Sequence, residues 1–231
     1  MKAERRLMPL SALIPAVGRL TVFAFVLVLL SLTGCVKSVY PWHAEEDVAF
    51  DASLAGAWIG EGDIDGCLLR ISADITHQAR HYNFEITKDT PQGCSDLNES
   101  DKWAGGGQLL QIGQQRFVEL WEDKCDLYTL LKLEADAQTI TVVPMDSDAL
   151  GELIRARKER LQGRVEGHTM QADDVLLTSS TEDLRRFLRS HADDKKVFAA
   201  DVAVKFHRRE GTSQISLGAT SLLDGDTGVN R

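Results

Sequence analysis

Three stretches of this chain alternate apolar and polar residues with a period of two. That pattern restricts the fold to half-buried antiparallel strands more tightly than any other feature. Over 67–75, Leu69, Ile71, Ala73 and Ile75 fall on one face, and Arg70, Ser72 and Asp74 on the other. Tyr82, Phe84 and Ile86 alternate against His81, Asn83, Glu85 and Thr87, and over 200–207 Val202, Val204 and Phe206 alternate against Asp201, Ala203, Lys205 and His207. Successive strand side chains point to opposite faces, so each stretch offers one face to a core and one to water. Residues 76–80 make the hairpin loop between the first two. Residues 54–60 read as the opening strand, and 107–112, 115–122, 126–134 and 139–143 as further strands. Their connections, Gly113-Gln114, 122–125 and 135–138, are short enough for hairpin turns. Residues 88–102 are polar, contain Pro91, Gly93 and Cys94, and read as a loop.

After residue 145 the period changes. Asp146, Ser147 and Asp148 offer N-caps for a helix running to about Leu161. Its apolar stripe is Leu150, Leu153, Ile154 and Leu161, and Arg155, Arg157, Lys158 and Arg160 lie late, where cations suit the helix dipole. Residues 175–178 form a short strand. Ser179-Ser180-Thr181-Glu182 matches a capping box and opens a second helix to about His191, burying Leu184, Phe187 and Leu188. The expected fold class is mainly β (α+β): an antiparallel meander forming a curved sheet or small barrel, with two helices in the C-terminal half packed on it. Residues 51–209 form one globular domain, and 210–231, rich in Gly, Ser, Thr and Asp, form a disordered tail.

The N-terminus reads as an export leader. Lys2, Arg5, Arg6 and Arg19 precede an apolar run over 20–32, which has signal-peptide length and is short for a membrane span. The run ends in Leu32-Thr33-Gly34-Cys35. LTGC resembles the lipobox of bacterial lipoproteins. That resemblance implies residues 1–34 as the signal peptide, cleavage between Gly34 and Cys35, and acyl chains (diacylglycerol and palmitate-type) on Cys35. Two or more chains hold a protein stably on a bilayer, whereas one does so only marginally. In such lipoproteins an Asp after the Cys favours inner-membrane retention. Val36 stands there instead, so the expected location is the outer membrane, facing the periplasm. Residues 35–50, with Pro41 and the acidic Glu45, Glu46 and Asp47, read as a lipidated tether that lifts the domain off the bilayer.

Removing the leader's four Lys/Arg and one Glu from the net charge of −9 leaves −12 on the mature chain. That charge argues against nucleic acid and anionic lipid surfaces as partners. With Cys35 used by the anchor, Cys67, Cys94 and Cys125 remain in an oxidising compartment. An odd number leaves one thiol free or paired between molecules. If 67–75 pairs with 81–89, and 107–112 with 115–122, all three gather at one end of the sheet. Cys67–Cys94 is the favoured disulfide and Cys94–Cys125 the next. The spacing lacks any CxxC pair, which argues against a zinc site.

Three segments, LAGAW at 54–58, VVPMDSDALGELI at 142–154 and LLTSSTEDLRRFLRSHADD at 176–194, resemble a family of bacterial lipoproteins with no established activity. The resemblance covers about 51–198 and implies architecture and location rather than chemistry; the strand over 200–207 lies outside it. Gly56-Ala57-Trp58 is also similar to the G-x-W near the first strand of lipocalins, which implies a lipocalin-like barrel. The plainer reading is an aromatic closing one end of any barrel.

Other candidates weigh against chemistry. His77 and His81 have the i, i+4 spacing of helical zinc ligands but fall at a hairpin loop, where a surface pair is the plainer reading. Glu61, Asp63 and Asp65 before Gly66 resemble the start of a calcium loop, yet the closing position, Asp74, lies in a strand. Gly105-Gly106-Gly107 suits a phosphate cradle or a flexible strand start, and no helix follows it. His168 and His191 accompany many Ser and Asp, but no G-x-S-x-G elbow or phosphate loop appears. The expectation is therefore a non-enzymatic, lipid-anchored envelope protein without cofactor or metal, acting through protein partners. The alternative is a lipocalin-like module binding a small apolar ligand.

Overall fold

The structure is a computed structural model that describes residues 36–74, 80–89, 94, 103–122, 125–157, 159–168, 171–198 and 200–210. Residues 1–35 and 211–231, His77 and most of 90–102 lie outside the described residues, and with them the expected leader, the expected lipidation site Cys35 and nearly all of the expected tail.

In chain order the strands are β1 (Val36–Ser38), β2 (Val48–Ala49), β3 (Gly56–Gly60), β4 (Cys67–Asp74), β5 (His81–Lys88), β6 (Trp103–Ile112), β7 (Gln115–Glu122), β8 (Cys125–Ala135) and β9 (Thr139–Pro144). Then come helix α1 (Ser147–Ala156), β10 (Gly163–His168), β11 (Gln171–Leu177), helix α2 (Thr181–His191) and β12 (Val204–Arg208). Strands β3 to β9 form an up-and-down antiparallel meander. β12 lies antiparallel between β3 and β9 and closes it into an eight-stranded barrel with two helices, a lipocalin-like architecture.

The period of two sets the inner face. Trp58, Leu69, Ile71, Tyr82, Phe84, Leu109, Val118, Leu133, Ile140 and Phe206 are all buried in one interior cluster. A second core lies on the outer wall. Leu110, Ile112, Phe117, Leu130 and Val143 face out from β6 to β9, and Leu150, Leu184, Phe187 and Leu188 of the two helices cover them. β8 is long enough to serve both layers. Its later half pairs with β9, while Tyr128 in its earlier half pairs with Ser38 of β1. β1 pairs in turn with β11, in parallel, and β11 with β10.

Residues 36–50 are therefore no free tether, contrary to expectation. Val36 and Ser38 are buried, and Val39 N–H donates to Leu177 O (3.1 Å). Thr181 Oγ1 donates to Pro41 O (2.8 Å), and Arg185 of α2 pairs with both Glu46 and Asp47. Trp42 is fully buried, and its backbone N–H donates to Glu119 Oε1 (2.6 Å). Glu119, itself fully buried on β7, also meets His43 Nδ1 at 2.7 Å. A carboxylate taken out of water survives only when its oxygens are satisfied. Here the N-terminal segment supplies both partners.

Other boundaries shift as well. α1 ends at Ala156 because Arg157 turns left-handed (φ 51°), and Leu161 reaches the core from the loop beyond it. β6 starts at Trp103, four residues before the expected strand, and carries Gly105-Gly106-Gly107 in mid-strand. β10 was not foreseen. The final strand is shorter than expected, following a 3-10 turn at Ala200–Val202.

Burial alone would lower the His43 pKa. The hydrogen bond and charge of Glu119, aided by Asp47, outweigh it and raise the imidazole above its ordinary value near 6.5. A raised folded-state value means the pair's contribution is complete below pH 6.5 and is lost as pH rises through the raised value. Denaturation midpoints should therefore hold below about pH 6.5 and fall as pH rises above it toward about pH 8, the upper part of the range in which histidine titrates. His43→Gln should flatten that part of the fall; an unchanged profile would show that the pair does not couple to folding.

Candidate functional site

The two ends of the barrel differ. At one end the connections 113–114 and 136–138 are short, and a 3-10 turn at Ala52–Leu54 plugs the opening. Asp51 caps that turn by accepting from Ser53 N–H (2.9 Å) and pairs with Arg116 at 2.7 Å. Burial pushes the Asp51 carboxyl up, but the Ser53 donors and Arg116 outweigh it and hold it below the usual range. The Tyr82 hydroxyl accepts from Asp51 N–H and donates to Asp51 O. Trp58 Nε1 donates to Leu54 O (3.0 Å), and the Arg208 guanidinium lies 4.0 Å from the Trp58 ring centroid. Gly56 makes this possible. Its φ is +146°, and a Cβ there would meet Arg208 Nη1 at 2.7 Å. Gly56-Ala57-Trp58 is thus a sealing device: the glycine admits the cation that stacks on the tryptophan.

The opposite end receives the long connections: 61–66, 89–102 and the whole helical segment between β9 and β12. Apolar residues here pack against the interior cluster yet stay half-buried: Ile64, Ile86, Trp103, Leu120, Val142 and Val204. Ile64 folds over Gly60, where a Cβ would meet its Cδ1 at 2.6 Å. The Trp103 ring lies down the inner wall over Gly105, and the Phe84 ring lies over Gly107. On the outer wall Trp121 covers Gly106 in the same way, with a Cβ there meeting its Nε1 at 2.6 Å. The glycine run is neither a phosphate cradle nor a strand start. It removes three side chains so that three aromatic rings can approach the strand closely. The result is a barrel sealed at one end by Trp58 and Arg208, with half-buried apolar side chains gathered at the other.

Cys67 and Cys94 form a disulfide at the rim of that second end (Cα–Cα 4.5 Å). Cys94 is left-handed (φ 55°), and its N–H donates to Asp65 O (2.9 Å), so the bridge ties the β5–β6 connection to the β3–β4 connection. Cys125 begins β8 at the same end, with its side chain outside the described residues.

The remaining candidates have local partners. Glu61 binds His207 (2.7 Å) and Lys205 (3.3 Å). His81 meets Gln108 Nε2 (3.1 Å) and the edge of Trp121. His191 sits between Glu159 and Asp194. The structure does not bring His81 together with Glu61, Asp63 and Asp65, and the side chain of His168 is outside the described residues. Among the described residues, no three His, Cys, Asp or Glu side chains cluster as metal ligands do. The described residues also form surface depressions. A depression of about 380 Å³ on the outer wall of β3 to β6 is bordered by Arg70, Asn83 and Glu85, and a shallow cleft beside α1 is lined by Arg155, Arg157 and Arg160.

Sequence reasoning found Trp58 and Phe84 but missed Trp103, Leu120, Ile64 and Arg208 as parts of the barrel ends. Trp103 stands outside any alternation, and Arg208 matters only through a strand pairing 150 residues away from Trp58 in the chain. Comparison with known proteins finds no family model, no curated protein and no solved structure that matches this chain.

A bridge closing a loop of 27 residues contributes about 3.5 kcal/mol in the chain-entropy account. Replacing both cysteines by serine should lower the melting temperature by roughly 10 °C in a domain of this size. A change under about 2 °C in calorimetry would mean that the rim is held without the bridge.

Proposed function

We propose that this protein is a lipid-anchored envelope protein, at the outer membrane and facing the periplasm, whose lipocalin-like barrel binds a small apolar ligand through the mouth around Trp103. It is a binding protein rather than an enzyme. The observation that carries the reading is the asymmetry of the barrel. Its sealed end buries Trp58, Tyr82, Ile140 and Phe206, with Arg208 over Trp58, whereas at the other end Ile86, Trp103, Leu120, Val142 and Val204 are only half-buried. Apolar side chains gathered at the mouth of a barrel gain from covering by an apolar guest, at about 25 cal/mol for each Å² removed from water. The leader and LTGC box support the envelope location, and the Cys67–Cys94 bridge is compatible with an oxidising compartment. A second reading, action through protein partners, draws on the outer-wall depression beside Arg70 and Glu85.

The test uses the mature chain with Cys35→Ala, purified from a periplasm, titrated with the neutral fluorophore N-phenyl-1-naphthylamine. Saturable binding is expected with a dissociation constant on the order of micromolar. Leu120→Glu should weaken it about tenfold, through a charge placed in the mouth, and leave the circular dichroism spectrum unchanged. Trp103→Ala should alter it too. No saturable uptake, or uptake indifferent to both substitutions, would remove the ligand reading and leave the protein-partner one.

A further inference from the structure

Val36 follows Cys35 of the LTGC box directly, and it is already inside the fold. β1 is paired on one edge with β11 (Val36 with Val175, Ser38 with Leu177) and on the other with Tyr128 of β8. The contacts of Val39, Pro41, Trp42 and His43 lock the segment that follows. A free spacer over 36–50 would reach up to about 50 Å, whereas the one peptide unit from Cys35 to Val36 spans about 3.8 Å. Acyl chains on Cys35 begin at headgroup depth. The domain cannot then stand clear of the membrane.

We propose that the flank formed by β1, β11 and β10 is a bilayer-docking face, and that the partner is a phospholipid headgroup surface which the barrel meets in one fixed orientation. The proposal rests on the reading of Cys35 as acylated. The register says which residues touch. Val36 is level with Val175 on β11, and the next pair toward the chain's start is Asp174 with Glu166 on β10. β11 begins four residues before Val175, at Gln171, so the hairpin extends about 13 Å past the level of Val36 and would lie along the surface. The charges among the described side chains of this flank are mixed: Lys37 and Arg164 against Glu166 and Asp174, with Arg164 and Glu166 paired at 2.9 Å. A balanced face suits zwitterionic headgroups and gives no net attraction to anionic ones. Across the barrel, β4 lies four strands from β8 in either direction, so exposed Ser72 on its outer wall faces away from the membrane.

The experiment takes the full lipidated protein, in a Cys125→Ser background, reconstituted in phosphatidylethanolamine vesicles doped with headgroup nitroxide lipid. A fluorophore is placed at Glu166→Cys or at Ser72→Cys, and acylation of Cys35 is verified by mass spectrometry. The label at position 166 should be quenched several-fold more than the label at 72. A flexible spacer of Gly and Ser inserted between Cys35 and Val36 should abolish the difference. Equal quenching in acylated protein without the spacer overturns the docking face while leaving the anchor intact. A chain that mass spectrometry shows unacylated overturns the anchor, and the docking face with it.

Discussion

Closure of the barrel depends on β12. Five residues, Val204–Arg208, donate and accept on both edges: Phe206 pairs with Gly60 of β3 and with Ile140 of β9. Without them the meander from β3 to β9 would have two open edges, each a row of unpaired backbone groups. The same strand brings Arg208 onto Trp58 and His207 and Lys205 onto Glu61, and so ties both ends of the barrel to the last described strand of the chain. Nearly the whole chain must therefore be present before the barrel can close, a topology of high contact order in which non-local pairing precedes its reward.

The second constraint is a buried charge. Glu119 occupies an outward position of β7, where a barrel wall normally meets water. The helices and the N-terminal segment cover that wall, so the carboxylate needs partners, and Trp42 N–H and His43 provide them. Removing either partner would strand a buried carboxylate, which costs more than the hydrogen bond itself is worth. The arrangement therefore specifies where residues 42 and 43 must lie. Trp42 meets a cost of its own: among the described residues its Nε1–H has no acceptor, an expense set against the burial of the whole indole.

Glycine placement sets the shape of the interior. Gly105 and Gly107 give up their side chains to the rings of Trp103 and Phe84 inside the barrel, and Gly106 gives up its own to Trp121 outside. Gly56 does the same for Arg208. At one end the effect is a sealed stack of ring and cation. At the other it is an aromatic wall running from the interior to the rim, where the disulfide holds two connections together. The proposed ligand reading draws on this polarity, and the proposed membrane reading on the short lead from Cys35.

By itself the sequence determined what depends on local order. The alternation at Leu69, Ile71 and Ala73 and at Tyr82, Phe84 and Ile86 specifies the inner face. Ser180 ahead of Asp183 specifies the start of α2, with Leu184, Phe187 and Leu188 on its buried stripe. Signals of a second core were also present, in the doublets Leu109-Leu110, Phe117-Val118 and Leu130-Leu131, where both faces of a strand are apolar. Only the tertiary structure decided what the residues 36–50 do. Val36–Ser38 is too short to declare itself a strand, and its partners lie about 90 and 140 residues further along the chain. Trp103, Arg208 and Glu119 likewise take their roles from neighbours far away in sequence. Local periodicity reports which face of a strand is apolar; it carries no information about which distant element will cover the other.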